Sequence, residues 1–157
     1  MKHYCYYDSP IGRLLLVGKT GVLEELHFPN VAAKLQIPGE WQQDATCFQK
    51  ALDQLQQYFA GKRREFDLPL APRGTPFQER VWKELCKVPY GGTSSYGAIA
   101  DRIGNPKACR AVGMANRKNP IPIIIPCHRI IGKDGSLTGF GGGLAVKKQL
   151  LDLERQP

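Results

Sequence analysis

The chain has 157 residues, 42% of them hydrophobic and 23% charged, with a formal net charge of +8. That length fits one domain, or two small lobes sharing a core, and needs no disulfide or metal to bury a hydrophobic interior. The five cysteines, Cys5, Cys47, Cys86, Cys109 and Cys127, are odd in number and widely spaced, with no Cys-x-x-Cys pair, which argues against a disulfide framework or a cysteine-cluster zinc site. Cys5 could be paired with His3 or His27, but a buried strand cysteine with surface histidines is the simpler reading, so no metal is expected. No window resembles a signal peptide or a membrane span, and a soluble intracellular protein is expected. Charge is unevenly spread. Residues 1–70 carry 8 basic and 8 acidic side chains, and residues 71–157 carry 14 and 6. A neutral first half and a cationic second half suggest a polyanion partner for the second, most simply nucleic acid.

In chain order, residues 2–28 read as a β meander: Lys2–Tyr7, a turn at Asp8–Gly12, Leu14–Val17, a turn at Gly18–Gly21, then Val22–Phe28. Residues 29–42 read as a loop. Asp44–Ala60 carries Phe48, Leu52, Leu55 and Phe59 at helical spacing, with Gly61 as its stop. Leu68–Pro76 reads as a linker, dividing an N-terminal lobe, 1–70, from a C-terminal domain, 71–157.

Thr75-Pro76-Phe77-Gln78 is a helix start, with Thr as N-cap, Pro at N1 and Gln at N3. Ser94 or Ser95 caps a short helix through Ile103. Gly104-Asn105-Pro106 turns into a further helix, with Asn105 expected as N-cap and Pro106 at N1. Two short helices joined by a Gly-containing turn make a helix-turn-helix. Small side chains dominate the second helix around Arg110, and Gly113 weakens it. Close approach to another surface is the reading favoured over tight core packing. Asp134-Gly135 signals a hairpin over 130–138 that would serve as a wing. Leu144–Glu154 is a final amphipathic helix.

The most informative segment is Asn119-Pro120-Ile121-Pro122-Ile123-Ile124-Ile125-Pro126-Cys127-His128-Arg129. An apolar run fenced by prolines is expected to be buried and rigid, and it delivers a thiol followed by an imidazole. A thiol attacks as its thiolate, which a nearby imidazole helps generate and a carboxylate can orient. Glu154 is one of few acidic residues in this half.

Pro126-Cys127-His128-Arg129, together with Asn119-Pro120-Ile121-Pro122, resembles the active-site signature of the O6-alkylguanine-DNA alkyltransferase (methylated-DNA–protein-cysteine methyltransferase) family. The resemblance extends in order through Ser95-Tyr96-Gly97, Gly104-Asn105-Pro106-Lys107, Arg110-Ala111-Val112-Gly113, Gly142–Lys147 and Glu154. It covers residues 75–155 almost continuously and the first half only weakly. It implies an α+β fold: a ribonuclease-H-like N-terminal lobe with a small antiparallel sheet, and a mostly helical winged helix-turn-helix lobe.

The resemblance also implies a single-turnover repair reaction on double-stranded DNA carrying O6-alkylguanine. A helix-turn-helix enters the minor groove, the damaged nucleotide is flipped out, and the alkyl group passes from guanine O6 to Cys127. His128 acts as base through a water, Glu154 orients it, Asn119 orders the loops and Tyr96 donates toward guanine N3. Arg110 is the finger that fills the gap in the stack. Ser95, Tyr96, Asn105, Lys107, Ala108, Cys109 and Gly113 complete the DNA-facing set. Ile130, Phe140 and Gly141 line the base pocket. No cofactor is needed, because nucleophile and alkyl donor are both present. A monomer is expected, cytoplasmic, or nuclear in a eukaryote. Phe140 stands where the family commonly has Tyr, and Gly141-Gly142-Gly143 is freer than a Ser-containing version. Both suggest a roomier pocket, open to bulkier O6 adducts or to O4-alkylthymine. Competing readings are a non-catalytic alkyltransferase-like recognition protein, which typically carries Trp at the cysteine position, a winged-helix regulator and a cysteine hydrolase.

Overall fold

Strand β1 (His3–Ser9) turns back into β2 (Gly12–Lys19) in an antiparallel ladder running from His3↔Gly18 to Ser9↔Gly12. Ser9 Oγ donates to the Gly12 carbonyl at 2.7 Å, and Gly12 takes the left-handed φ of +108° that this tight reversal requires. β3 (Val22–His27) adds antiparallel to β2, with an irregularity at Val17/Gly18. These coordinates come from a computed structural model, which describes residues 1–156. Two compact units are present, Met1–Pro72 and Arg73–Pro157.

The first unit's sheet is mixed, where a purely antiparallel one was expected. A two-residue strand β4 (Gln42–Gln43) pairs parallel to β1, giving the order β3-β2-β1-β4. After β3 the chain crosses to the free edge of β1 and enters it in the same direction. Leu14, Leu15, Leu16 and Val17 are all fully buried, so β2 is covered on both faces and its continuous apolar run is explained. Leu15 and Val17 pack with Ala32, Leu35, Ile37 and Trp41. The segment expected to be a loop thus covers one face of the sheet, and it includes a one-turn helix α1 (Pro29–Ala32). Four residues are too few to show a helical period. On the other side α2 (Gln49–Phe59) brings Phe59 against Tyr7, ring centroids 6.4 Å apart.

The helix expected over 44–60 is split. Asp44 caps a 3₁₀ turn at Ala45–Phe48 by accepting from the Thr46 amide at 3.0 Å, and α2 begins only at Gln49. Gly61, at φ +74°, follows its end. The expected linker is also partly anchored. Leu23 donates to the Pro69 carbonyl and Ala71 donates to the Leu23 carbonyl, which lays residues 69–71 along β3.

In the second unit α3 (Pro76–Leu85) opens with the expected capping box between Thr75 and Gln78. Its Trp82 indole donates to the Ala115 carbonyl at 2.8 Å. Helix α4 (Tyr96–Arg102) is capped by Ser95, which accepts from the Ala98 amide. It ends in a Schellman motif, with Asn105 N–H bonded to Ala100 O and Gly104 N–H to Asp101 O. That motif uses Asn105 to close α4, so Asn105 is not the N-cap of the next helix. α5 starts later, at Cys109 (Cys109–Arg117), with Ala108 as N-cap. The helix-turn-helix pair packs closely: a Cβ on Gly97 would lie 3.7 Å from Cys109 Sγ, and one on Gly113 would lie 3.8 Å from the Tyr96 ring.

The expected wing hairpin is absent among the described residues. The Asp134-Gly135 turn forms, with Gly132 N–H bonded to Ser136 O, but no strand returns from it. Instead β6 (Ile130–Ile131) pairs parallel with β5 (Ser94–Ser95). The aliphatic side chain of Ile130 is wholly buried, and burial in the unit's interior outweighs the local hairpin signal. α6 (Leu144–Glu154) completes the unit. No helix among the described residues is long and apolar enough to cross a membrane.

Candidate active site

The proline-fenced run is buried throughout, from Ile121 to Ile130. Asn119 braces it. Its side-chain amide donates to the Ile125 carbonyl at 2.8 Å while its oxygen accepts from the Ile121 amide at 3.0 Å. Between these anchors Ile123 sits at φ +73°. A β-branched residue in the left-handed region costs on the order of 1–3 kcal/mol and persists only where its surroundings impose it. The strained segment leads directly into a 3₁₀ turn, Cys127–Arg129.

Cys127 is 4% exposed. Burial pushes its thiol up to about 11, against the opposing pull of a hydrogen bond from Asn119 and of the Lys147 ammonium. The resting side chain is therefore a neutral thiol, with about one molecule in ten thousand ionised at pH 7. Its ionisation near neutral pH would require a base.

His128 is fully buried, and its Nε2 lies 2.6 Å from Glu154 Oε2. Burial pulls its imidazole below the usual histidine range, outweighing the opposite effect of Glu154. A neutral ring donating through Nε2 to the carboxylate carries its lone pair on Nδ1. Nδ1 is buried and has no hydrogen-bond partner among the described residues. The pair therefore presents a basic nitrogen, oriented from behind by Glu154.

Three further residues join the site that the sequence reading did not assign. Arg129 donates from Nε to Glu154 Oε1 at 2.8 Å, from Nη2 to Oε2 at 3.1 Å and from Nη1 to the Val88 carbonyl at 2.8 Å. Glu154 thus holds His128 and Arg129 together. Lys147, wholly buried, donates to the Ile130 and Thr138 carbonyls and lies 5.8 Å from the Phe140 ring centroid. Burial lowers its pKa. Asn116 adds a long 3.4 Å bond to the Cys127 carbonyl. A signal for Lys147 and Glu154 lay in α6: both fall on the stripe of that helix that buries Leu150 and Leu151, where an unpaired charge is costly.

The short β5–β6 pair links the helix-turn-helix to this turn. Ser94–Ser95 precedes Tyr96, and Ile130–Ile131 follows Arg129. The Tyr96 hydroxyl lies 2.9 Å from Thr138 Oγ1. Arg110, Asn105, Lys107 and Cys109 are exposed, while Ala108 and Gly113 are half-buried. Gly141 is exposed, and a Cβ there would meet nothing within 4 Å.

Profiles of two domains match the chain: the 6-O-methylguanine DNA methyltransferase ribonuclease-like domain over residues 2–72, and the DNA-binding domain of the same name over residues 76–156. The chain belongs to the 6-O-methylguanine DNA methyltransferase family. It is 53% identical to the methylated-DNA–protein-cysteine methyltransferase of Methanosarcina barkeri over 152 residues, covering 95% of this chain and 96% of that one. It is also 53% identical to the protein of that name from Mycobacterium bovis, covering 99% and 93%. The structure of Mycobacterium tuberculosis OGT in complex with DNA superposes with a TM-score of 0.91 at 53% identity, covering 98% of this chain and 92% of that one. This family membership carries the α+β fold and identifies the chain as a methylated-DNA–protein-cysteine methyltransferase by kind.

The buried thiol and imidazole predict how stability varies with pH. Cys127, raised in the folded state, stays protonated while the unfolded thiol ionises, so stability falls as pH rises from about 9 toward 11, by on the order of 2 kcal/mol. His128, lowered in the folded state, does the reverse on the acid side. The unfolded chain binds a proton first, and stability falls as pH drops below about 6.5. Denaturant midpoints across pH 5–11 check both limbs. Cys127→Ala should flatten the alkaline limb, leaving a residue from buried Cys5, whose thiol burial pushes up to about 12.

Proposed function

We propose that the protein repairs alkylated duplex DNA by moving an alkyl group from guanine O6 to Cys127 Sγ, once per molecule. The observation that carries the proposal is a thiol buried at the end of a braced segment, in the same turn as an imidazole whose far nitrogen is held by Glu154. In the reaction the S–C bond forms as the O6–C bond breaks. The thiol proton passes to His128 Nδ1 through a water, and the departing guanine anion takes a proton from the Tyr96 hydroxyl. The thioether is stable, so the cysteine is consumed. O4-alkylthymine, with the same alkyl–oxygen bond on a smaller ring, is a second substrate for a pocket bounded by Ile130, Phe140 and Gly141.

Cys127 is almost sealed from solvent, so a base in a duplex reaches it only after being flipped out, at a cost of a few kcal/mol. Arg110, exposed on α5, fills the vacated stack. Ser95, Asn105, Lys107, Ala108, Cys109 and Gly113 lie on the same helix-turn-helix and face the minor groove. The surplus positive charge of residues 71–157 supports phosphate contacts and a binding constant that falls steeply with salt. The working unit is a monomer acting in the cytoplasm.

Intact-mass measurement after mixing with a duplex containing O6-methylguanine tests the reading. One increment of about 14 Da, mapping to Cys127, is expected for a thiol acceptor. An unchanged mass with retained DNA binding would instead make the protein a lesion-recognition factor. Arg110→Ala should slow transfer from duplex DNA at least tenfold and leave transfer from free O6-benzylguanine, which needs no flipping, within twofold. Equal losses on both substrates would remove Arg110 from that role.

A further inference from the structure

The turn at Asp134-Gly135 returns no strand, yet it delivers Thr138 to a defined place. Thr138 Oγ1 lies 2.9 Å from the Tyr96 hydroxyl. We infer that Thr138 is a positioning residue for Tyr96: it aims the Tyr96 proton at the guanine and donates its own hydroxyl to the phenolate oxygen that forms. The role rests on the alkyl-transfer reading above, with Tyr96 as its proton donor.

Both partners are held. Gly132 N–H closes the turn on the Ser136 carbonyl at 2.8 Å, and the Ser136 amide and hydroxyl both donate to Asp134 Oδ1. Two residues on, Lys147 Nζ donates to the Thr138 carbonyl at 2.9 Å, and also to the Ile130 carbonyl. Lys147 is wholly buried, so Thr138 is tied through the interior to β6. Tyr96 is fixed from the other side. It is the first residue of α4, directly after the Ser95 cap. Its ring lies along α5, where a Cβ on Gly113 would be 3.8 Å away. With the ring and Thr138 both anchored, the 2.9 Å approach sets where the Tyr96 oxygen sits.

The direction of the bond follows from counting protons. Each hydroxyl has one proton, which rotates, and two lone pairs. When Tyr96 directs its proton to guanine N3, the Thr138 proton is the one left for the bond between them. Thr138 is then the donor and the Tyr96 oxygen the acceptor. As the O6–C bond breaks and N3 takes the Tyr96 proton, that oxygen becomes negative. An O–H···O⁻ bond is roughly twice as strong as its neutral counterpart. The gain arises only as charge develops, which is the condition for accelerating the step. Thr138 keeps its proton throughout, so no further acid or base is needed.

Single-turnover rates of methyl transfer, followed by intact mass, test the role. Thr138→Val, which keeps the shape and loses the hydroxyl, should slow transfer from an O6-methylguanine duplex about tenfold or more. Thr138→Ser, which restores the hydroxyl, should recover most of that rate. A duplex carrying the same lesion with a C–H group in place of guanine N3 gives Tyr96 nothing to protonate. The wild type should react slowly with it, and Thr138→Val should lower that rate less than about twofold further, which also shows the variant to be folded. Likewise, adding Thr138→Val to Tyr96→Phe should cost less than about twofold. Equal slowing on both duplexes, no slowing on either, or no recovery with serine would overturn the role. A wild type that transfers no methyl group would overturn the repair reading and this role with it. A wild type that transfers normally, while Thr138→Val keeps its rate, overturns the role alone.

Discussion

Cys127→Ala should abolish alkyl transfer, leaving the protein's mass unchanged after exposure to O6-methylguanine duplex under conditions that convert the wild type fully. In the proposed reaction the loss is total, because there the side chain is a stoichiometric acceptor and not an assistant to one. Of the remaining cysteines, Cys86 and Cys109 are exposed and Cys47 is half-buried, and none shares a turn with a buried imidazole–carboxylate pair. The variant should fold, since removing one small sulfur from the interior costs about 1 kcal/mol. It should bind alkylated duplex with affinity close to that of the wild type. Electrophoretic mobility shift measures the binding and peptide mass mapping measures the transfer. Residual transfer to another cysteine would show that the braced segment is not what confers reactivity.

Glu154→Gln is expected to have the next largest effect, and on two observables. Glu154 is buried and holds both His128 and Arg129. Removing its charge leaves the Arg129 guanidinium in the interior without a counter-ion. Breaking one side of such a pair costs about 3–5 kcal/mol, which corresponds to a melting-temperature drop on the order of 10 °C for a chain of this size. Alkyl transfer, assayed well below that temperature, should slow by about 10²–10⁴, the range set by losing an oriented base. Asp152→Asn is the control. Asp152 bonds Lys148 at 2.7 Å on the exposed face of the same helix, and a surface pair is worth about 0–1 kcal/mol. If both variants lose stability equally, the buried pairing is not the source.

The contrast between these two carboxylates shows how far the sequence could be read. Glu154 was assigned as the orienting carboxylate only through the family resemblance. Arg129 stood inside the same tetrapeptide, yet its role depends on α6 returning to the 3₁₀ turn, a tertiary fact with no local signature. Where local chemistry decides the outcome, the reading held: the Thr75 capping box, the Ser95 cap, the Gly61 stop and the burial of the isoleucine run are all present. Where tertiary partners decide it, the reading failed. Asn105, a good N-cap by composition, is used instead to finish the preceding helix. Asp134-Gly135 makes its turn, but Ile130 and Ile131 pair with Ser94 and Ser95 and no wing strand follows. β4 and α1 are too short to have a period at all. Ile123 is a different kind of miss, because nothing about isoleucine suggests a left-handed backbone. Only the brace on either side of it does.

The burial of Cys127 also bears on the molecule after the proposed transfer. A thiol 4% exposed, in the turn that follows the strained Ile123, lies in the protein's interior. The methylated side chain is one carbon larger in the same place, and overpacking of this kind costs about 1–3 kcal/mol. Spent molecules would therefore melt at lower temperature than fresh ones, so that a population's unfolding curve doubles as a tally of the lesions it has removed.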